Sequence, residues 1–277
     1  RIDADEMEVI AGRLAPSVGT CMVMGTASTV GSMVEALGLA LPGAASAPAV
    51  HADRLRIAEA TGKVAADLAR KGGPSPSALV TAASIANAMA VLQATGGSTN
   101  GLVHLAALAG RAGIPLDYAL FDRLGRDVPV LVDLKPSGQH YMEHFHHAGG
   151  VPRLMREIAD HLDLTAATVD GRTLADVVAE AEEVPGQTVI RPRANPVSPE
   201  GSMAVLSGNL APRGAVIKQS AATRRLLQHT GRAVVFDSVD DMAARIDAPD
   251  LDVTADDVLV LRNTGPVGAP GMPEAGY

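Results

Sequence analysis

The sequence predicts an α/β protein of two domains, residues 1–186 and 187–277. Three observations carry this. Apolar residues recur at helical spacing through the first two thirds. One near-continuous apolar run, Val128 to Leu134, interrupts them with a strand. After Pro185-Gly186 short β-rich runs replace the helices.

Taken in order, a helical run spans Ser32 to Leu39. His51 to Lys71 carries Leu55, Ala58, Val64 and Leu68 near helical spacing, and Gly72-Gly73 stops it. Pro76-Ser77 opens a helix reaching about Gln93, so rich in Ala, Leu, Val, Ile and Met that it predicts burial on every side. Ser98-Thr99-Asn100 begins the next, with Leu102, Leu105 and Leu108 on one face, and Asp117 to Arg126 is a short fourth. Val128 to Leu134 reads as a strand buried on both faces, as in a parallel sheet between helices. Pro152 fits the first turn of a helix ending near Leu162, and Thr173 to Glu183 is one more. The later runs, Val189–Arg191, Met203–Leu206, Ala215–Lys218, Ala233–Phe236 and Val258–Leu261, are spaced as in a barrel or sandwich.

Composition narrows the function. Hydrophobic residues make up 47 % of the chain and aromatics only 2 %, so the core is built from small and aliphatic side chains that let helices approach closely. The net charge of −8 argues against a nucleic-acid footprint. No apolar run is long enough to span a membrane, and no signal peptide is visible. A single cysteine excludes an intramolecular disulfide framework and fits a reducing compartment, the cytoplasm. The chain begins without Met and stops after a Gly/Pro-rich loop, which reads as a piece of a longer protein.

That cysteine, Cys21, lies among Gly, Thr and Ser just ahead of a helical run. Orphan N–H groups at a helix start favour a thiolate, which suits metal binding or nucleophilic attack. Four other segments invite chemistry. Thr95-Gly96-Gly97-Ser98-Thr99-Asn100 joins two apolar helices; its glycines suit an anion, and its Ser and Thr suit a helix cap equally. Asp133 to Gly138 follows the buried strand, where Lys135 can meet an anionic substrate or sit in a solvated turn. His140, His144, His146 and His147 cluster with Glu143 but lack a clean zinc spacing, which favours a histidine-rich lining or interface. Asn263 to Glu274 is a rigid Gly/Pro loop delivering one carboxylate, as a hard cation needs; an ordinary surface glutamate is the plainer reading.

Together these segments are more specific than any alone. Cys21 with Met24-Gly25-Thr26-Ala27-Ser28-Thr29, then Ala36-Leu37-Gly38, Thr95 to Asn100, Asp133-Leu134-Lys135-Pro136-Ser137-Gly138, Gly208-Asn209-Leu210-Ala211-Pro212, Gly214 to Lys218 and Pro270-Gly271-Met272-Pro273-Glu274 resemble the dihydroxy-acid and 6-phosphogluconate dehydratase family along essentially the whole chain. The resemblance implies a helix-rich α/β/α domain followed by the start of a β-barrel domain. It implies loss of water from a 2,3-dihydroxy acid to give a 2-keto acid. It also implies an iron–sulfur cluster on three cysteines, with Mg²⁺ beside it. Cys21 matches a cluster cysteine and Glu274 an Mg²⁺ ligand. The remaining cysteines and Mg²⁺ ligands would precede Arg1, and the catalytic base would follow Tyr277, so no catalytic base is assigned. Thr26, Ser28, Ser98 and Thr99 are the candidates for substrate binding.

Met24 to Thr29, His146-His147-Ala148-Gly149-Gly150 and Pro273 to Tyr277 resemble the sugar-acid (arabinonate- or xylonate-type) branch, which favours a two-iron over a four-iron cluster. The expected partners are a small sugar-acid substrate and further copies of the chain, as a dimer or tetramer. The alternatives are a branched-chain dihydroxy-acid dehydratase of valine and isoleucine biosynthesis, or a non-enzymatic small-anion binding module with an inert Cys21. The 277 residues alone are expected to be inactive, because half the site is missing.

Overall fold

The computed structural model describes residues 2–14 and 17–264. The chain divides after Ala221 into two compact units. In the first, ten α-helices precede a two-stranded sheet among the described residues: α1 (Ala4–Leu14), α2 (Thr26–Ala36), α3 (Ala52–Lys71), α4 (Pro76–Leu79), α5 (Ala82–Thr95), α6 (Asn100–Arg111), α7 (Tyr118–Asp127), α8 (Met142–His147), α9 (Gly150–Glu157), α10 (Leu174–Ala179), then β1 (Ala204–Leu206) and β2 (Ala215–Ile217). The second holds β3 (Ala233–Phe236), α11 (Val239–Arg245) and β4 (Val258–Leu261). This is a mixed α/β architecture with small sheets.

The core of the first unit forms around α5. Its alanine-rich sequence lets neighbours close on it from all sides, and Ile85, Ala88 to Leu92 and Ala94 are all buried. A reciprocal cap at Thr81 and Ser84 starts it, and Gly96, at φ 65° and ψ 35°, ends it in the left-handed conformation. Against α5 pack α2, α6, α7 and α9. Phe121, Phe145, Leu131, Leu154 and Met155 supply the large side chains of this core. By contrast, α1 and the 20-residue α3 bury no residue within the unit.

The structure corrects several expectations. The helix expected from Pro76 to Gln93 is two helices. Val80 turns extended (ψ 96°), and the hydroxyl of Thr81 accepts the Ser84 N–H at 3.1 Å. Two β-branched residues followed by a capping pair favour a break over continuation. Val128 to Leu134 is buried as expected, but not in a parallel sheet. It makes isolated antiparallel bridges, Val130 with Ser198 and Val132 with Ile190, and the Leu131 N–H donates to the Ala94 carbonyl at the end of α5 at 2.9 Å. The first expected helix begins earlier, at Thr26, and the last helix before the β-rich part is shorter, Leu174–Ala179. Helices α1, α8 and α11 were not expected, and Val189–Arg191, expected as a β run, makes only the isolated bridge of Ile190 with Val132.

In the second unit β3 and β4 are parallel, with Ala233 opposite Val258 and Phe236 opposite Leu261. Helix α11, capped by the Ser238 hydroxyl, makes the crossover that a parallel pair requires. Val234, Phe236 and Met242 form its small core. β1 and β2 pair antiparallel, so the described strands form two separate two-stranded sheets.

Gln93 shows how the first unit is locked. This fully buried amide donates to the Phe121 and Met203 carbonyls at 3.3 and 3.1 Å and accepts the Met203 N–H at 2.9 Å. Gly125 and Gly201 are bare because a Cβ at either would come within 2.5 Å of the Met203 carbonyl or 2.7 Å of the Gln93 Oε1. Gln93→Leu keeps the volume and orphans the Met203 N–H. The expected cost is about 2–5 kcal/mol, read as a lowered urea midpoint; an unchanged midpoint would refute this role.

Candidate active site around Cys21

Cys21 is exposed, on an irregular stretch leading to α2. Two backbone bonds fix that stretch: the Met24 N–H donates to the Lys135 carbonyl at 2.9 Å, and the Met142 N–H donates to the Met22 carbonyl at 2.8 Å. Buried Met24 anchors it to the core. Gly25 lies against the thiol, since a Cβ there would stand 3.0 Å from the Cys21 Sγ. The loop after Val128–Leu134 and the start of α8 thus hold the cysteine segment from one side.

A polar network holds the other side. The Thr29 hydroxyl donates to the Gly25 carbonyl at 2.8 Å and accepts the Ser98 N–H at 3.0 Å. Thr26 Oγ1 and Ser98 Oγ are 3.2 Å apart, and the Asn100 side-chain amide donates to Thr26 Oγ1 at 2.9 Å. The structure therefore brings Thr26 and Ser98 together. Ser28 is different: two residues after Thr26 on a helix, it faces the core and is 5 % exposed. Thr99 is half-buried and enters the first turn of α6 through its carbonyl, which accepts the Leu102 N–H. Asn100 is the member of this network that residue-type reasoning did not single out.

The glycine junction behaves more as a cap than as an anion cradle. The Ser98 N–H is held by Thr29, and the Asn100 N–H donates to Ser98 Oγ at 3.2 Å. Gly97 is needed for close packing: a Cβ there would meet Thr29 Cγ2 at 2.7 Å and Leu92 Cδ1 at 2.9 Å.

Lys135 is half-buried and oriented. Its ammonium donates to the Tyr141 hydroxyl at 2.7 Å and lies 4.3 Å from the centre of that ring. Its own N–H donates to the His140 carbonyl at 2.8 Å. Asp133 closes the loop by accepting the Gln139 N–H at 2.9 Å and pairs with Arg191 at 3.4 Å.

The histidine cluster splits in two. His140 and His144 meet edge to face beside Tyr141, while His146 and His147 gather with His51. A cavity of about 310 Å³ lies by the second group, between Pro42, Ser46, His146, Pro152 and Val177. It contains neither Cys21 nor Lys135, so volume and chemistry point to different places. The Cys21 face carries the chemistry-bearing side chains: its segment is bonded to the Lys135 carbonyl and runs into Thr26, which meets Ser98 and Asn100. Glu274 lies outside the described residues.

An exposed thiol beside a bare glycine fits a cluster ligand, since bulky sulfur and iron need clearance. One thiolate cannot close a cluster, so these residues fit as part of a donor set.

Comparison with known proteins identifies the family. The family model described as dihydroxy-acid/6-phosphogluconate dehydratase N-terminal matches residues 1–177, and its C-terminal counterpart matches residues 188–277. The chain belongs to the dihydroxy-acid/6-phosphogluconate dehydratase family, a family of hydro-lyases. It is 44 % identical over 278 residues to a 6-deoxy-6-sulfo-D-gluconate dehydratase of Pseudomonas putida, covering 99 % of this chain and 48 % of that protein. It is 46 % identical over 247 residues to an L-arabonate dehydratase of Azospirillum brasilense, covering 88 % and 42 %. It is 42 % identical over 272 residues to a dihydroxy-acid dehydratase of Methanospirillum hungatei, covering 98 % and 48 %. The chain thus spans about half the length of these relatives. Among the described residues no helix is long and apolar enough to cross a membrane.

Proposed function

We propose that the full-length protein is a sugar-acid dehydratase, removing water from a 2,3-dihydroxy acid to give a 2-keto-3-deoxy acid. The observation that carries this is the joining of the segment from the exposed Cys21 to Thr26 with Ser98–Asn100 and with the backbone of the Lys135 loop, three stretches far apart in sequence. Cys21 would hold one corner of an iron–sulfur cluster, of the two-iron type, and Glu274 would contribute to an Mg²⁺ site. The other thiolates and the base would come from chain outside this sequence. When bound, these groups supply Lewis-acid polarisation of the departing hydroxyl and of the substrate's carboxylate side.

The residues of this chain would orient the substrate. Thr26 and Ser98 offer hydroxyls that can donate or accept, while Asn100 holds Thr26 in place. Lys135, steadied by Tyr141, offers a cation for the acid group. Such polar surroundings reject a substrate that leaves them unpaired. This favours a polyhydroxylated acid over a branched aliphatic one. The two small sheets leave apolar strand residues exposed, Val235, Val258 and Leu259 among them. That suits strands completed into a barrel by the rest of the protein.

The test is turnover by full-length protein, read as keto-acid formation on pentonates, hexonates and 2,3-dihydroxyisovalerate. Pentonate or hexonate is expected to be dehydrated with kcat/KM at least tenfold above the branched acid. Preference for the branched acid, or rescue of an isoleucine–valine auxotroph, would overturn the sugar-acid reading. No keto acid from any of them would overturn the dehydratase reading.

A further inference from the structure

We propose that His51, Asp53 and His146 form a binding site for one divalent transition-metal ion, Zn²⁺, that ties the start of α3 to the end of α8. The donor atoms are gathered: His146 Nε2 lies 3.0 Å from Asp53 Oδ2, His51 Nδ1 lies 3.2 Å from the same oxygen, and all three donors lie within 4.8 Å of one another. A tetrahedral zinc with ligands at about 2.0–2.2 Å has ligand–ligand edges of roughly 3.3 Å. Two of the three edges are therefore close to the required length without an ion to impose them. Two imidazoles and one carboxylate form a donor set that zinc accepts readily, leaving the fourth position for water.

The surroundings resemble a supported site. His146 Nδ1 faces the Ser46 hydroxyl at 3.4 Å, a partner that can fix its tautomer and turn Nε2 towards Asp53. Arg56 engages the other oxygen of Asp53, leaving Oδ2 to the two histidines. His51 caps α3 by accepting the Asp53 N–H at 3.3 Å, a long bond that the ion would replace. The His146 side chain is 15 % exposed and those of His51 and Asp53 are 36 % exposed, so the site is sheltered yet has an entry path. The ion would fasten a helix that otherwise buries nothing in its unit. His147, whose ring centre is 5.6 Å from that of His51, stands outside the triad and serves as the control.

Co²⁺ is the spectroscopic probe and Zn²⁺ the competitor, titrated into the protein. The expected result is one Co²⁺ per site with the visible bands of tetrahedral nitrogen–oxygen ligation, displaced by Zn²⁺, and without the near-ultraviolet band of a bound thiolate. His146→Ala and Asp53→Asn are each expected to weaken binding by at least about tenfold, whereas His147→Ala leaves it unchanged. Far-ultraviolet dichroism monitors folding, and His51→Ala, at a half-exposed position, provides a third ligand variant should either of the first two unfold. Failure of wild-type protein to show the visible bands, a thiolate band in their place, or equal binding by ligand variants and wild type would overturn the site. Because the readout is metal binding, it is independent of dehydratase turnover.

Discussion

Full-length protein carrying Cys21→Ser is expected to lose its cluster absorbance and most of its iron, and to dehydrate its substrate at least about a thousandfold more slowly, a loss of several kcal/mol of transition-state stabilisation. The reasoning starts from the atom. A thiolate is soft and readily formed, whereas the serine hydroxyl stays protonated at neutral pH and is a poor ligand for cluster iron. Folding should not change, because Cys21 is exposed and its segment is fastened by the backbone bonds of Met24 and Met142. Compared as cluster-free proteins, variant and wild type are accordingly expected to differ in unfolding free energy by no more than about 0.5 kcal/mol. Iron content and turnover retained in the variant would remove Cys21 from the cluster and leave it an ordinary surface thiol.

A large stability effect that depends on pH is expected at Glu35. Its side chain is buried on α2, where it accepts the Gly43 N–H at 2.9 Å and the Ala45 N–H at 2.5 Å. Arg54 braces the same loop by donating to the carbonyls of Ala44 and Ala47. Burial pushes the Glu35 carboxyl up to about 7, against the opposing pull of the two N–H groups and Arg54. An acid whose folded pKa exceeds its unfolded value of 4.5 binds more protons when folded across that interval. Its contribution to stability is therefore greatest below pH 4.5 and declines as pH rises towards 7, by about 3 kcal/mol at most. Glu35→Gln removes this titration, so the variant should gain on wild type by about that amount between pH 4.5 and 7. At low pH it should start well below wild type, because its amide nitrogen faces a backbone N–H that needs an acceptor. Glu35→Ala leaves both N–H groups buried without their acceptor and should cost about 2–5 kcal/mol. Urea unfolding of wild type and both variants across this pH range checks the sign. Parallel pH profiles for wild type and Glu35→Gln would show that Glu35 stays ionised throughout.

Local chemistry determined a good part of this protein. Asp117 capping α7, the glycines ending α3 and α5, and the short runs at Ala204–Leu206, Ala215–Ile217, Ala233–Phe236 and Val258–Leu261 follow from nearest-neighbour sterics and hydrogen bonding. So does the burial of α5 and of Val128 to Leu134, because such apolar runs have no polar face to give to water. The family was legible too, since its motifs are short stretches of adjacent residues.

What adjacency does not encode, only the tertiary structure decided. Val128 to Leu134 could tell that it would be buried, not that its partners would be Ser198 and Ile190 in antiparallel bridges. Thr26 and Ser28 looked equivalent in sequence, but helical rotation sends one to Ser98 and the other into the core. Gln93 with Met203, separated by 110 positions, and Asp53 with His146, separated by 93, meet through chain closure. The free energy of these meetings belongs to pairs of distant groups held by a shared core, so it leaves no periodicity or spacing along the chain to read.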